Sequence, residues 1–343
     1  MQSSGEPFGL QAHLDELYAA QPGRLAFRAE TLTDFERWQP ALRWAVRRLL
    51  GLDARTPPAI MAAQLDAIDR GKYVEERYRL AVGEGVHTPL YLLVPKGPPP
   101  FKPILVFHGH DPSVQAILGN YPNLETAREQ LALDNNYAQA LAEAGYLVGA
   151  IEQRGLGERL TQQTGDGPFP RSCRHLAFEY LLHGRTLLGE RCWDGLCALE
   201  YLRSRADVRS DVLGCTGHSG GGCTALWLAA IEPRITTTVV AGYFCSFKAS
   251  ILARPHCECN YVPGVLELIE MGDLAASLAP RPLRVIHGRH DPIFPCSATV
   301  AQFEIVKRAY QLHERSAACS LAIHAGGHAY QQPLSQAWFA QWL

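Results

Sequence analysis

The segment Gly217-His218-Ser219-Gly220-Gly221 carries the most concentrated chemistry in the chain. It follows a short apolar run at 212–216 and leads into an apolar, helix-like stretch from Cys223. A G-x-S-x-G between strand and helix is the pattern of a nucleophile elbow. The serine sits on a sharp turn, and the flanking glycines let strand and helix approach without Cβ clashes. The start of the following helix favours developing negative charge. The plain alternative is a glycine-rich turn in an ordinary strand–helix unit.

A serine hydroxyl is a weak nucleophile and needs a general base that is itself held by an acid. When the serine sits on such an elbow, acid and histidine follow it in the chain, each after a later strand. The run at 283–286 passes into His287-Gly288-Arg289-His290-Asp291-Pro292, which puts Asp291 in the loop at the strand's end. The run at 321–323 passes into Gly326-Gly327-His328. Ser219, Asp291 and His328 are therefore the expected catalytic residues. The tetrahedral oxyanion needs two backbone N–H donors. The expected pair is Gly220, next to the nucleophile, and His110 in the loop Phe107-His108-Gly109-His110-Asp111. The alternative for His108 and His110 is that they only pack this loop.

Other residues of the same types have plainer readings. His324 sits on the last strand as a packed side chain, and Asp273 reads as an N-cap for the stretch 274–278. His287 and His290 read as turn or core residues. Cys215 and Cys223 flank the elbow without its geometry. The ten cysteines include no CxxC pair and read as small buried hydrophobes. The cluster His256-Cys257-Glu258-Cys259 has a Cys-x-Cys spacing unlike the usual zinc knuckle and no visible second half. No metal and no organic cofactor are expected.

These residues need a scaffold that gathers loops at one rim. Six short apolar runs, at 104–107, 146–151, 212–216, 238–241, 283–286 and 321–323, mostly alternate with helix-length segments. That alternation predicts right-handed crossovers and a mostly parallel sheet covered on both faces, with its site beyond the carboxyl ends of the strands. Two further runs, 78–82 and 89–94, flank Gly83-Glu84-Gly85 and predict a hairpin.

The first part of the chain reads as helical. Stretches 10–20 and 32–50 have apolar residues three and four apart, including Phe35, Trp38, Leu42, Val46 and Leu49. Thr33-Asp34 is the expected N-cap of the second helix and Gly51 its stop. Pro57-Pro58 is expected to restart a helix through 59–68. Residues 1–74 are thus a helical N-terminal extension and 75–343 the catalytic domain. The extension either packs against that domain, the simpler role, or shapes a cleft or pairs subunits. The segment 156–189 breaks the alternation and is a candidate lid. Its Phe169, Phe178 and Tyr180 line a pocket or belong to the core.

The 343 residues are enough for one large α/β domain with an extra segment. Lys and Arg total 32 against 34 Asp and Glu, a formal net charge of −2. So neutral a chain lacks the basic face that nucleic acid requires. No apolar run reaches a membrane-spanning length. The N-terminus has no basic cap followed by an apolar run, so it is not read as a secretory signal, and a cytoplasmic protein is expected. The helical extension allows a homodimer without requiring one.

The combination of His108-Gly109, Gly217-His218-Ser219-Gly220-Gly221, His287-Gly288 with Asp291, and Gly327-His328, in that order, resembles the α/β-hydrolase superfamily over residues 75–343. Glu152-Gln153-Arg154-Gly155-Leu156-Gly157 is similar to the D-x-R-G-x-G segment of the dienelactone-hydrolase and acetylxylan-esterase-like branch, with Glu152 in place of its usual acid. The stretches 256–264, 272–275 and 279–283 are similar to segments of acetylxylan-esterase-like members that carry a helical N-terminal extension. The resemblance implies a mostly parallel eight-stranded sheet with helices on both faces. It implies a Ser219–Asp291–His328 triad acting on an acetyl- or short-acyl-type carboxylic ester of a small molecule. Peptide, amide or carbon–carbon cleavage on the same triad is the alternative within enzymes, and a catalytically silent binding protein is the alternative outside them.

Overall fold

The computed structural model describes residues 9–21, 23–58, 61–161 and 169–343. Among these residues nine strands form one sheet: β1 (Ala62–Asp69), β2 (Tyr73–Gly83), β3 (Val86–Pro95), β4 (Pro103–Phe107), β5 (Leu147–Ile151), β6 (Gly214–His218), β7 (Thr237–Ala241), β8 (Leu283–Gly288) and β9 (Cys319–His324). Their order is β1-β2-β3-β5-β4-β6-β7-β8-β9. The first three strands and the β3–β5 junction are antiparallel, and everything from β5 to β9 is parallel. The helices are α1 (Gln11–Ala19), α2 (Leu32–Leu49), α3 (Gln115–Leu118), α4 (Leu124–Ala132), α5 (Tyr137–Glu143), α6 (Cys173–Leu182), α7 (Leu187–Ser204), α8 (Gly220–Ile231), α9 (Val265–Leu268), α10 (Met271–Ala276), α11 (Cys296–Leu312) and α12 (Gln332–Trp342).

The parallel strands β4 to β7 are buried at every position, which is why they read as continuous apolar runs rather than alternating ones. One core lies under α2, α7, α8, α10 and α11 and includes Trp193, Trp227 and Phe303. The opposite core lies under α3, α5 and α12 and includes Tyr137, Trp338 and Phe339. Helix α8 is buried all round, as expected for a helix sandwiched between sheet and helices.

The sheet has nine strands rather than eight because residues 62–69 form a strand, not the expected helix; Ala59 and Ile60 lie outside the described residues. The pairing of β1 with β2 shifts register between Gln64 and Asp66. A bulge there breaks the two-residue period, so the apolar spacing across 62–68 imitates a helical one. β1 is an edge strand, with Leu65 and Ile68 about half exposed.

Helix α2 keeps the predicted stripe, with Phe35, Leu42 and Val46 buried. Its N-cap is Thr31, two residues before the expected position. The Asp34 N–H donates to Thr31 Oγ1 and the Asp34 carboxylate accepts from the Thr31 N–H, a reciprocal capping box that starts the helix earlier. Gly51 follows the helix at φ +73, a conformation that suits glycine. The extension is tied down by Gln39, whose amide donates to the carbonyls of Ser277 and Ala279, and by the Phe27 N–H donating to Asp273 at 2.7 Å. Asp273 is therefore not the N-cap of α10. That is Glu270, and Asp273 closes its capping box from the third helical position. No described helix is long and apolar enough to cross a membrane.

Candidate active site

The turn from β6 into α8 is built by exclusion of side chains. A Cβ on Gly221 would collide with the Phe107 carbonyl, and one on Gly217 with the Gly221 backbone. Only glycines let β6, β4 and the first turn of α8 come this close. Ser219 takes φ +55 and ψ −119, a backbone region that non-glycine residues rarely adopt. Its N–H donates to the Ala241 carbonyl at 2.9 Å, and its own carbonyl accepts from Cys223 N–H at 2.9 Å. The cost of that conformation, of order 1–3 kcal/mol, is met by the surrounding sheet and helix.

Asp291 lies in the loop after β8 and is buried. Its Oδ1 accepts the N–H groups of Ile293 (2.8 Å) and Phe294 (3.0 Å). Its Oδ2 lies 2.7 Å from His328 Nδ1. Burial works against ionisation, yet the His328 hydrogen bond and the two N–H donors hold the carboxyl below its ordinary range. The His328 loop closes on the β8 end because Gly288 has no Cβ to strike the Gly327 backbone. Phe294 stacks on the His328 ring at 5.9 Å between centroids and 20° between planes.

Ser219, Gly220 and His328 line one cavity of about 580 Å³, walled further by Gly109, His110 and Phe294. A Cβ on Gly109 would stand 3.1 Å from the His218 carbonyl and 3.5 Å from Ser219 Cβ, so this loop runs directly against the elbow. Asp291 reaches the cavity only through His328. His324 is on β9 and its Nδ1 accepts from the Gly326 N–H. His287 is buried on β8, and Cys215 and Cys223 are buried beside the elbow. Seven of the ten cysteines are buried; Cys257, Cys296 and Cys319 are partly exposed.

Four residues gain roles from folding that their place in the sequence motifs does not state. Gln153 donates from its amide to the His108 carbonyl and accepts from Thr224 Oγ1 at 2.7 Å, joining the β4 loop to α8. Its neighbour Glu152 accepts from Val114 N–H at 3.0 Å. His218 lies 4.5 Å from His328 between ring centroids, and burial, then the nearby His328, push its pKa well below the ordinary histidine value. Gly242, at φ +58, leaves room for both rings: a Cβ there would stand 2.9 Å from His218 Nε2 and 3.1 Å from His328 Cε1. A glycine closing the buried run of β7 is the one signal in the sequence that points to it.

In the segment 156–189, a 3-10 turn covers Gly157–Arg159 and α6 covers Cys173–Leu182, while 162–168 lie outside the described residues. Phe169 and Tyr180 pack against the small core around Leu156 and Leu176, and Phe178 is exposed. His110, Cys173 and Cys257 bring possible metal-ligand atoms within 4.8 Å of one another, the one such grouping among the described residues.

Residues 14–337 match the model of the Abhydrolase family. YtaP of Bacillus subtilis (strain 168), a candidate hydrolase by name, is 28% identical over 294 residues, 82% of this chain and 91% of that protein. The 2,6-dihydropseudooxynicotine hydrolase of Paenarthrobacter nicotinovorans is 24% identical over 243 residues, covering 67% of this chain and 55% of that one. A candidate acetyl xylan esterase of Bacteroides fragilis NCTC 9343 superposes with a TM-score of 0.78 at 18% identity, over 94% of this chain and 84% of that chain, and so shares the fold.

Proposed function

The chain belongs to the Abhydrolase family, and from that footing we propose that it is a serine hydrolase cleaving a carboxylic ester of acetyl or short-acyl type through an acyl-enzyme. The observation that carries this reading is the pairing of His328 Nδ1 with Asp291 at 2.7 Å while His328 and a positive-φ serine line one cavity. With Nδ1 donating to Asp291, Nε2 is left as the acceptor for the Ser219 proton.

Ser219 Oγ attacks the ester carbonyl as His328 takes its proton. The oxyanion is met by the Gly220 N–H, in the unpaired first turn of α8, and by the His110 N–H of the β4 loop. His328 then protonates the leaving alcohol, and a water activated by the same imidazole hydrolyses the acyl-enzyme. Support for acetyl-type esters comes from the fold neighbour solved as a candidate acetyl xylan esterase. The test is Ser219→Ala assayed with p-nitrophenyl acetate and butyrate. The reading predicts loss of turnover with fold intact, and full turnover in that variant ends it.

A second reading, amide or carbon–carbon cleavage on the same groups, is favoured by the relative named for 2,6-dihydropseudooxynicotine rather than for an ester. Ester, peptide-amide and β-diketone substrates compared side by side decide between them.

A further inference from the structure

Four soft ligands from three separate segments gather at one wall of the cavity. His110 comes from the loop after β4, Cys173 is the first residue of α6, Cys257 caps the 3-10 turn Glu258–Asn260, and Cys259 lies within it. The ligand atoms of His110, Cys173 and Cys257 all lie within 4.8 Å of one another. Cys259 Sγ is 3.3 Å from His110 Nε2. The Cys-x-Cys that looked incomplete along the chain gains its other half from folding.

A second observation points to an anion at this place. Arg191 is 2% exposed. Its guanidinium donates to the Arg154 carbonyl at 3.1 and 2.7 Å and to Cys173 Sγ at 3.3 Å. It enters no carboxylate ion pair among the described residues, whereas its neighbours Arg154 and Arg159 both reach Asp194. A buried cation without an opposite charge is costly, and the groups available to supply one here are the sulfurs.

We infer that His110, Cys173, Cys257 and Cys259 form a structural site for one thiophilic divalent cation, with zinc the fitting metal. Thiolate and imidazole ligands select zinc, and four protein ligands complete a closed tetrahedral shell. Bond lengths of about 2.3 Å to sulfur and about 2.0–2.1 Å to nitrogen put neighbouring ligand atoms roughly 3.5–3.8 Å apart. The 3.3 Å pair is already near that spacing, and the His110–Cys173–Cys257 set closes by about 1 Å, while Cys259 Sγ, outside that 4.8 Å grouping, must close a wider gap to the other sulfurs to complete the shell. The charges balance: three thiolates and a divalent ion leave one negative charge beside Arg191. Binding releases the thiol protons to solvent and changes no oxidation state.

The shell has no open position, so the ion takes no part in hydrolysis. It staples the β4 loop, the entry of α6 and the Cys257–Cys259 turn, which together wall the cavity. The Nε2 edge of His110 faces the sulfurs while its Cε1–Nδ1 edge packs on Gly220, where a Cβ would stand 2.7 and 2.8 Å away. The ion thereby fixes the ring of His110 against the elbow.

The test is titration of the reduced, chelator-stripped protein with Co²⁺ alone, read by absorbance. One Co²⁺ per chain, with sulfur-to-cobalt charge transfer and tetrahedral ligand-field bands that Zn²⁺ displaces, is the expected result. Cys257→Ser, at a partly exposed position, weakens that binding roughly tenfold or more, and Cys173→Ala does the same. Cys319→Ser, outside the cluster, leaves it unchanged. Absence of the charge-transfer band, an octahedral spectrum, or a Co²⁺ titration unaltered by Cys257→Ser overturns the inference. So does a Cys173–Cys257 disulfide found by peptide mapping of protein purified under reducing conditions.

Discussion

Asp291→Asn isolates what the acid contributes. Oδ1 of Asp291 accepts two backbone N–H groups, at 2.8 and 3.0 Å, so the asparagine carbonyl must keep that side. Its NH₂ then replaces Oδ2, 2.7 Å from His328 Nδ1, and presents a donor where an acceptor stood. The imidazole can meet that donor only with an unprotonated Nδ1, which moves its proton to Nε2 and removes the acceptor for the Ser219 hydroxyl. Loss of the correct tautomer is worth about 10³–10⁴ in kcat, or about 4–5.5 kcal/mol of transition-state stabilisation. The substitution keeps side-chain volume and both backbone hydrogen bonds, so Tm should move by only a few degrees. The assay is steady-state hydrolysis of p-nitrophenyl acetate beside a thermal melt. Turnover within tenfold of wild type, in a variant that melts normally, refutes the tautomer argument and with it the role of Asp291.

Gln153→Ala removes the link between the His108 carbonyl and Thr224. The β4 loop then loses its tie to α8, and kcat for an activated ester should fall about 10- to 100-fold with KM little changed, since a misplaced oxyanion donor acts on the transition state. A fall confined to KM would show that Gln153 shapes binding instead. Glu270 gives a pH-dependent stability. Burial raises its pKa from 4.5 to about 7, so the native state holds its proton more tightly than the unfolded chain does. Stability is therefore highest below about 4.5 from this group and falls as pH rises through 7. The gap corresponds to at most about 3 kcal/mol, and partial solvation reduces it to about 1–2 kcal/mol. Glu270→Gln should match wild type near pH 4 and exceed it by that amount at pH 8 in urea melts. An equal effect at both pH values contradicts the assignment.

The parallel half of the sheet was legible because β4 to β7 are buried on both faces and their apolar runs have no competing pattern. The elbow was legible for a different reason: close approach of β6 to α8 admits only glycine at 217 and 221, so a steric requirement is written directly as residue type. β1 was not legible, because one bulge removes the alternation by which an edge strand is recognised. The start of α2 was displaced by two residues because Asp34 acts from the third helical position, and a threonine–aspartate pair looks alike from either end. Gln153 and His218 acquire their roles only from what folding places beside them. The same is true of the cluster around His110: Cys257 and Cys259 are visible as a pair, but their partners arrive on α6 and on the β4 loop.

The central claim is that the hydroxyl of Ser219 becomes covalently acylated. It is tested by quenching the enzyme in acid during turnover of p-nitrophenyl acetate and mapping the acetylated peptide by mass spectrometry, with Ser219→Ala alongside. The account predicts a single acetyl group on the peptide containing Ser219 in the wild type, and none in the variant. An acetyl group on another residue, or undiminished steady-state hydrolysis by the variant, would contradict it.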